Sequence, residues 1–380
     1  MKTRWPLFLL FIALCVITGA TVSCQAADKL ELPDWQGDLR LEEADGFMER
    51  GQGEVFSIRQ YVTDVLAGKS NFSFGEIWDH VRDQVSDQWD SQKHTLLRLL
   101  ALSVFAGVFV RFAGTVGDGD LGETGFYVVF LLLTGIVTTA FFAAYEVTEG
   151  ALAHLVDFMK ALVPSFSLAL CYGGGMQSSF VFYETMLIAM GLLEMFLKNI
   201  LLPGVQIYFF LSVINQMAER RFSRMVDLIG SILRWSIKLL FGVMIGYQGI
   251  QGMLVPVMDR VRNNAVWQTA KGLPGVGNTV GSVVDTVLGS GVLIKSAVGV
   301  GGLIGILVLC IYPLVKLLLF TLLYRVGGAV VQPVSDRRIV MVLQSAASSG
   351  KILLGYMAAS TLMFMLSIVI VLVSTNMVSG

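Results

Sequence analysis

Charged side chains are scarce in this 380-residue chain: they make up only 14% of the residues, whereas 55% are hydrophobic. The mean hydropathy is +0.71. Soluble globular domains carry about one quarter charged residues, so this composition excludes the ordinary soluble class and favours a protein that crosses a membrane several times. The formal net charge of -1 gives no reason to expect nucleic acid as a partner.

Histidine and cysteine are also rare, which restricts metal and redox chemistry. The three histidines, none of them in an HExxH motif, are His80, His94 and His154. A zinc protease of that class is therefore excluded. The four cysteines, which form no CxxC motif, are Cys15, Cys24, Cys171 and Cys310. We expect neither a metal site nor a disulfide framework.

Enzyme motifs are present only in fragments. The segment Gly291–Ser296 resembles the end of a P-loop but lacks the glycine before its lysine, and the glycines at 275, 277 and 281 have the wrong spacing for a dinucleotide turn. The segment Gly117–Asp120 matches the GxGD of intramembrane aspartyl proteases. It lies in a polar turn, however, and no Tyr-Asp pair supplies the second carboxylate that this chemistry requires. We therefore expect no enzyme and no cofactor.

The chain begins with the pattern of a secretory signal sequence, residues 1–27. Lys2 and Arg4 precede an apolar run from Pro6 to Ala20, and small and polar residues follow as far as Ala27. This order predicts export, either with cleavage after residue 26 or 27 or with the segment kept as an uncleaved span. Acylation of Cys24 is the least favoured alternative, because a lipobox prefers leucine or valine where threonine stands here.

An acidic segment, residues 28–94, follows and is predicted to lie outside the cytoplasm. Between Asp28 and His94 there are 15 acidic and 7 basic residues. Two patches with helical periodicity, 55–66 and 74–89, predict a small exported helical segment. The alternative is a solvated acidic linker that ends in a helix leading into the membrane.

The rest of the chain, residues 95–380, is predicted to be an all-α polytopic transmembrane bundle of about eight spans. The predicted spans are 96–112, 126–145, 161–172, 180–197, 202–217, 228–250, 291–331 and 352–373, the third of them broken at Pro164. Residues 256–288 are amphipathic and are predicted to form a re-entrant or surface helix. Arg220, Arg221 and Arg224 place the loop before the sixth span in the cytoplasm, because basic loops remain inside.

A glycine-rich stretch, residues 273–303, is the candidate packing or conduit element. Gly277 with Gly281, and Gly301 with Gly305, form small-xxx-small pairs, which let two helix backbones approach closely in lipid. Ionisable residues within spans are further candidates. Lys238 in particular is expected to face the bundle or a wet cavity, since a basic residue at the centre of a span costs at least about 2.5 kcal/mol.

The order of motifs after residue 96 resembles the stage III sporulation protein AE family of endospore-forming bacteria. The motifs that carry the resemblance are LPGVGNTVGSVVDTVLGSGVLIKSAVGVGGLIGI at 273–306, PLVK at 313–316, QPVSDRR at 332–338, LVPS at 162–165, the glycines at 173–174, Leu202-Pro203 and GIQG at 249–252. The resemblance implies a multi-pass protein in the mother-cell membrane around the forespore. It also implies that the protein is part of a secretion-like channel complex required after engulfment for late forespore gene expression.

The partners implied by the resemblance are other stage III sporulation membrane proteins, a channel partner on the forespore side and an associated ATPase, in addition to membrane lipid. The candidate assembly or conduit residues are Lys238, Gly277, Gly281, Asp285, Lys295, Gly301, Gly305, Pro313, Lys316, Gln332, Pro333 and Asp336. The family provides no catalytic residues to transfer. The alternative function from another class is an independent small-molecule permease or exporter.

Overall fold

The computed structural model describes residues 41–52, 56–67, 119–218, 221–271, 277–333 and 335–379, with single positions between 82 and 105. The regular elements in these ranges are α1 (Leu41–Gln52), α2 (Ile58–Leu66), α3 (Gly119–Tyr172), α4 (Met176–Leu192), a π-helix (Leu193–Leu201), α5 (Leu202–Met217), α6 (Ser223–Lys271), α7 (Gly277–Val331) and α8 (Arg337–Ser379). The predicted signal sequence lies outside the described residues, and so does the predicted first span except for single helical positions. For the described ranges, the predicted all-α class is confirmed.

Five stretches in the described part of the chain are long and apolar enough to cross a membrane. They are Tyr127–Tyr172, Met176–Met217, Ser223–Met253, Gly289–Val331 and Arg337–Thr375. The predicted count of about eight spans is not confirmed, because several predicted spans join into one longer helix. The predicted seventh span, by contrast, does form a single helix through Pro313.

The prediction of a separate span at 161–172, broken at Pro164, is wrong. Helix α3 runs without interruption from Gly119 to Tyr172 and contains Pro164. A proline removes one backbone donor and crowds the carbonyl four residues earlier. Leu162, Val163 and Phe166 are all at most 1% exposed, so packing on both sides of the proline holds the helix together.

The predicted fourth and fifth spans are also continuous, joined by the π-helix. The N–H of Leu202 donates to the carbonyl of Leu197, five residues earlier, directly before Pro203. A proline has no N–H and needs room beside the preceding turn. The wider π turn supplies that room, so the chain continues in the same direction instead of ending a span.

The predicted surface helix at 256–288 is not a separate element. Its first part continues α6 as far as Lys271, and its last part is the beginning of α7 at Gly277. Amphipathic periodicity identifies a helix and its apolar face. It does not show whether that helix stands alone or extends a neighbouring span, which is why the two cases were confused.

Helix α8 lies at the centre of the bundle, where it contacts α3, α4, α5, α6 and most extensively α7. Helices α6 and α8 run parallel: the hydroxyl of Tyr356 lies 3.4 Å from the carbonyl oxygen of Leu233, and Gly252 packs against Ile370. The turns that precede these two helices therefore lie at the same end of the bundle. The turn between α3 and α4, at 173–175, lies at the opposite end.

Candidate functional site

The turn at 173–175 is built from three glycines and is the point where α7 meets the end of α3. Gly174 has φ of 79°, in the left-handed region, and its N–H donates to the carbonyl of Cys171 at 3.0 Å, while Gly175 donates to Leu170 at 3.0 Å. This is the Schellman pattern that ends many helices. Residues 173–175 are called the glycine turn below.

Gly291 of α7 lies directly against the glycine turn. A Cβ at Gly291 would overlap the carbonyl group of Tyr172 and lie 2.8 Å from the backbone nitrogen of Gly173. Since these are backbone atoms, no side-chain rotation relieves the overlap. The contact between α3 and α7 therefore requires glycine at this position.

Asp259 of α6 caps the first turn of α4 from outside that helix. Its carboxylate accepts hydrogen bonds from the backbone N–H groups of Gln177 and Ser178, both at 2.9 Å, and from the Ser178 hydroxyl. The N-cap residue itself, Gly175, has no side chain to do this. Asp259 is only 4% exposed, and a carboxylate at a helix N-terminus is stabilised by the helix dipole.

Lys295 is the predicted candidate that lies closest to this arrangement. It is 1% exposed, and its Cδ lies 3.4 Å from the position that a Cβ at Gly173 would occupy. Its aliphatic stem thus packs on the C-terminal turn of α3, an end of a helix that favours a cation. Asp259, Gly291 and Lys295 together surround the glycine turn.

Gly299, Gly301 and Gly302 of α7 pack against three different helices. A Cβ at Gly299 would lie 2.7 Å from Leu372 of α8, and one at Gly302 would lie 2.7 Å from Leu162 of α3. Gly301 faces α2, and Gly305 is buried. Gly299, Gly301 and Gly302 thus seat large side chains. Close packing at Gly277 and Gly281 lies outside the described side chains and stays a prediction.

The remaining candidates are spread along α7 and the turn after it. Gly277, Gly281 and Asp285 lie in the first turns of α7, where the side-chain surroundings fall outside the described residues. Pro313 is buried inside α7. Lys316 donates to the hydroxyl of Tyr312 at 3.4 Å, with its ammonium 5.5 Å from that ring's centre.

The turn before α8 is at the opposite end of the bundle from the glycine turn. Gln332 and Pro333 are exposed there. Asp336 accepts a hydrogen bond from the backbone N–H of Arg338 at 2.7 Å and so caps α8. The candidates thus lie at both ends of the bundle and along α7 between them, and those whose surroundings are described do not form one cluster.

Lys238 does not face the bundle of the single chain, because its side chain is exposed on the outer face of α6. The other predicted alternative, a wet cavity, stays a prediction. In its apolar 18-residue segment, α6 is only 17% buried, against 50% for the corresponding segment of α8. Helix α6 therefore lies at the edge of the bundle. Arg234 is also exposed on α6. Gly242 and Gly246 lie on the same outer face, and no atom is within 4 Å of the Cβ position of either.

Helices α1 and α2 pack against this bundle, and α2 lies against Gly301 of α7. A Cβ at Gly301 would lie 3.1 Å from Ile58 and 3.3 Å from the ring of Tyr61. Ile58 is fully buried, and burial raises the pKa of the Tyr61 phenol.

Replacing Gly301 with leucine should therefore displace α2 from α7. We expect an overpacking cost of about 1–3 kcal/mol and faster protease cleavage between α2 and α3 in membranes. Gly135→Leu is the matched control, because no atom lies within 4 Å of its Cβ position. Equal cleavage rates in the two variants would contradict the contact.

Known proteins match this chain over nearly all of the helices described above. The family model described as stage III sporulation protein AE matches residues 56–375, from α2 to α8. A stage III sporulation protein AE of Bacillus subtilis (strain 168) is 22% identical over 281 residues, which span 73% of this chain and 70% of the relative. No solved structure matches the chain. The chain therefore belongs to the stage III sporulation protein AE family.

Proposed function

We propose that this protein is a multi-pass component of the channel or secretion-like complex that connects the mother cell to the forespore after engulfment. In this proposal it resides in the mother-cell membrane around the forespore and supports late forespore gene expression. It acts by assembly with other stage III sporulation membrane proteins, a forespore-side partner and an associated ATPase, and it performs no catalysis itself. Family membership supports the process, and the outer face of α6 supports the mode of action.

The observation that carries the assembly role is the composition of that outer face. Arg234 and Lys238 are exposed one helical turn apart in a stretch apolar enough to cross the membrane. The hydrocarbon core of the bilayer cannot hydrogen-bond or neutralise such cations, so they require a partner, a wet surface or the membrane interface. Gly242 and Gly246 leave space for another helix to approach closely. A partner helix would cover both features at once.

The alternative, an independent permease, requires a cavity that matches its substrate. The pocket between α4, α6 and α8 has a volume of about 30 Å³. Small-molecule sites usually measure about 300–1,000 Å³. This pocket of the described residues is therefore too small by itself to hold a metabolite, and it gives the permease alternative no support.

The orientation in the membrane follows from charge at the two ends of the bundle. Arg221 and Arg224 lie beside the turn before α6, and Arg337 and Arg338 begin α8, so both basic segments are at the same end. We assign this end to the cytoplasm, since basic loops remain inside. The glycine turn and Asp285 then face the space between the membranes of the two cells.

Complementation in an endospore-forming bacterium tests the proposal. Deletion of the gene should block late forespore gene expression, and the wild-type protein should restore it. Gly246→Leu should accumulate in the membrane at the wild-type level, because leucine favours a helix more than glycine does, Gly246 is exposed, and no neighbouring group lies within 4 Å of its Cβ position. The variant should nevertheless co-purify with less of the other stage III proteins and restore fewer spores.

Gly191→Leu is the matched control, since Gly191 is exposed on α4 with no atom within 4 Å of its Cβ position. Normal late forespore expression in the deletion strain would refute the proposed process. Normal co-purification and spore yield from Gly246→Leu would instead refute only the role of the α6 face.

A further inference from the structure

The pocket between α4, α6 and α8 contains polar atoms that have no hydrogen-bond partner among the residues that the structure describes. It is lined mainly by apolar groups, with polar groups from Ser178, Thr185, Gln248, Ser374 and Thr375 among them. Gln248 and Thr185 are each 4% exposed. Neither the amide nitrogen nor the amide oxygen of Gln248 has a hydrogen-bond partner among the described residues, and the same holds for the Thr185 hydroxyl.

Three unpaired polar atoms in one buried place are costly in a dry bundle. Each unsatisfied buried donor or acceptor costs about 1–3 kcal/mol, and buried polar groups in proteins almost always have a protein or water partner. A purely apolar pocket stays empty, whereas a pocket that contains unpaired polar groups and has room for a water molecule can take up water. The unpaired atoms therefore point to an occupant.

The chemistry of Gln248 defines this occupant. Its amide nitrogen needs an acceptor and its amide oxygen needs a donor, so an occupant must be able to do both, which excludes simple cations and anions. A water molecule requires about 10–15 Å³ of such a cavity, and the volume here is about 30 Å³. We propose that the pocket is a hydration site for about two water molecules, which join Gln248 of α6 to Thr185 of α4 and to α8.

The site continues into the cap of α4. Ser178 lines the pocket, and its hydroxyl donates to the carboxylate of Asp259. The same serine therefore connects the water site to the hydrogen bonds at the glycine-turn end of the bundle. Helix α6 is the least buried of the five long apolar segments, and water-mediated contacts then hold it in part against α4 and α8. This hydration site does not depend on the proposed function.

Accessibility to Ag⁺, a water-borne thiol reagent, tests the site in the full-length protein in membranes. In a background with all four cysteines replaced, Thr185→Cys places a thiol in the pocket with little change in volume. The membranes are first treated with Ag⁺, the protein is then unfolded in detergent, and alkylation of the thiol at position 185 is measured. Treatment with Ag⁺ should block most of this alkylation. Ala189→Cys is the control, because Ala189 lies one turn further on α4, is fully buried and does not line the pocket.

A second substitution tests whether the amide of Gln248 holds the water. Adding Gln248→Met to Thr185→Cys keeps a similar volume but removes both polar atoms, so protection by Ag⁺ should be lost. Gln216→Met is the control, since Gln216 is buried in α5 and donates to Ser212.

The proposal would be overturned if Ag⁺ protected the thiols at 185 and 189 equally from alkylation. It would also be overturned if Ag⁺ still protected the thiol at 185 after Gln248→Met was added. If Thr185→Cys does not accumulate, Thr375→Cys in the same pocket replaces it, with the same expected result.

Discussion

Replacement of Gly291 by alanine should remove the folded protein from the membrane almost completely. The added methyl group would overlap the carbonyl of Tyr172 and approach the nitrogen of Gly173. Overpacking in a tight core costs about 1–3 kcal/mol and sometimes more. We expect about 3 kcal/mol or more here because backbone atoms must move. Immunoblots of membrane fractions and the thermal unfolding of the solubilised protein measure the effect.

Gly289→Ala is the matched control two residues earlier on the same helix. No atom lies within 4 Å of its Cβ position, and alanine stabilises a helix interior by about 1 kcal/mol relative to glycine. This variant should therefore accumulate at least as well as the wild type. Similar levels of the two variants would show that α7 does not rest on the glycine turn.

Asp259→Ala should produce the second largest loss of stability. The substitution leaves the N–H groups of Gln177 and Ser178 without their acceptor. Each unsatisfied buried donor costs about 1–3 kcal/mol, so we expect a loss of about 3 kcal/mol and fraying of α4 at its first turn. Thermal unfolding of the purified protein and protease cleavage near the glycine turn measure these two effects.

Asp336→Ala provides the comparison for Asp259→Ala. Asp336 is an exposed cap that serves its own helix, α8, and the loss of such a cap costs about 1 kcal/mol. The loss of stability from Asp259→Asn should lie between those of the two alanine variants, because asparagine retains one carbonyl acceptor. If Asp259→Ala destabilised the protein no more than Asp336→Ala, the cap from α6 would be unimportant.

The sequence predicted much of the secondary structure but few of its boundaries. Apolar stretches identify helices reliably, whereas proline and polar patches were read as ends of spans. Pro164 and Pro203 show why this fails: the first is held by buried neighbours, and the second follows a π turn that gives it room. Neither feature can be seen in the residues adjacent to the proline.

The candidate site was predicted in part. The glycine-rich stretch and Lys295 were identified from composition and from family motifs, because glycine and charge are unusual within spans. Asp259 and Gln248 were missed, although both are polar residues within α6. The hydrogen-bond partners of Asp259 are on α4, and the pocket that Gln248 lines lies between α4, α6 and α8. Sequence periodicity contains no information about which helix faces which.

The sequence by itself determined that this protein is helical, enters a membrane and belongs to a sporulation family, because these properties depend on composition and on the order of motifs. Only the tertiary structure decided that Gly291 touches backbone, that Asp259 caps a helix 81 residues away and that Lys238 faces outward. The physical reason is that a helix fixes neighbours three and four residues apart, whereas contacts between helices depend on how the whole bundle packs.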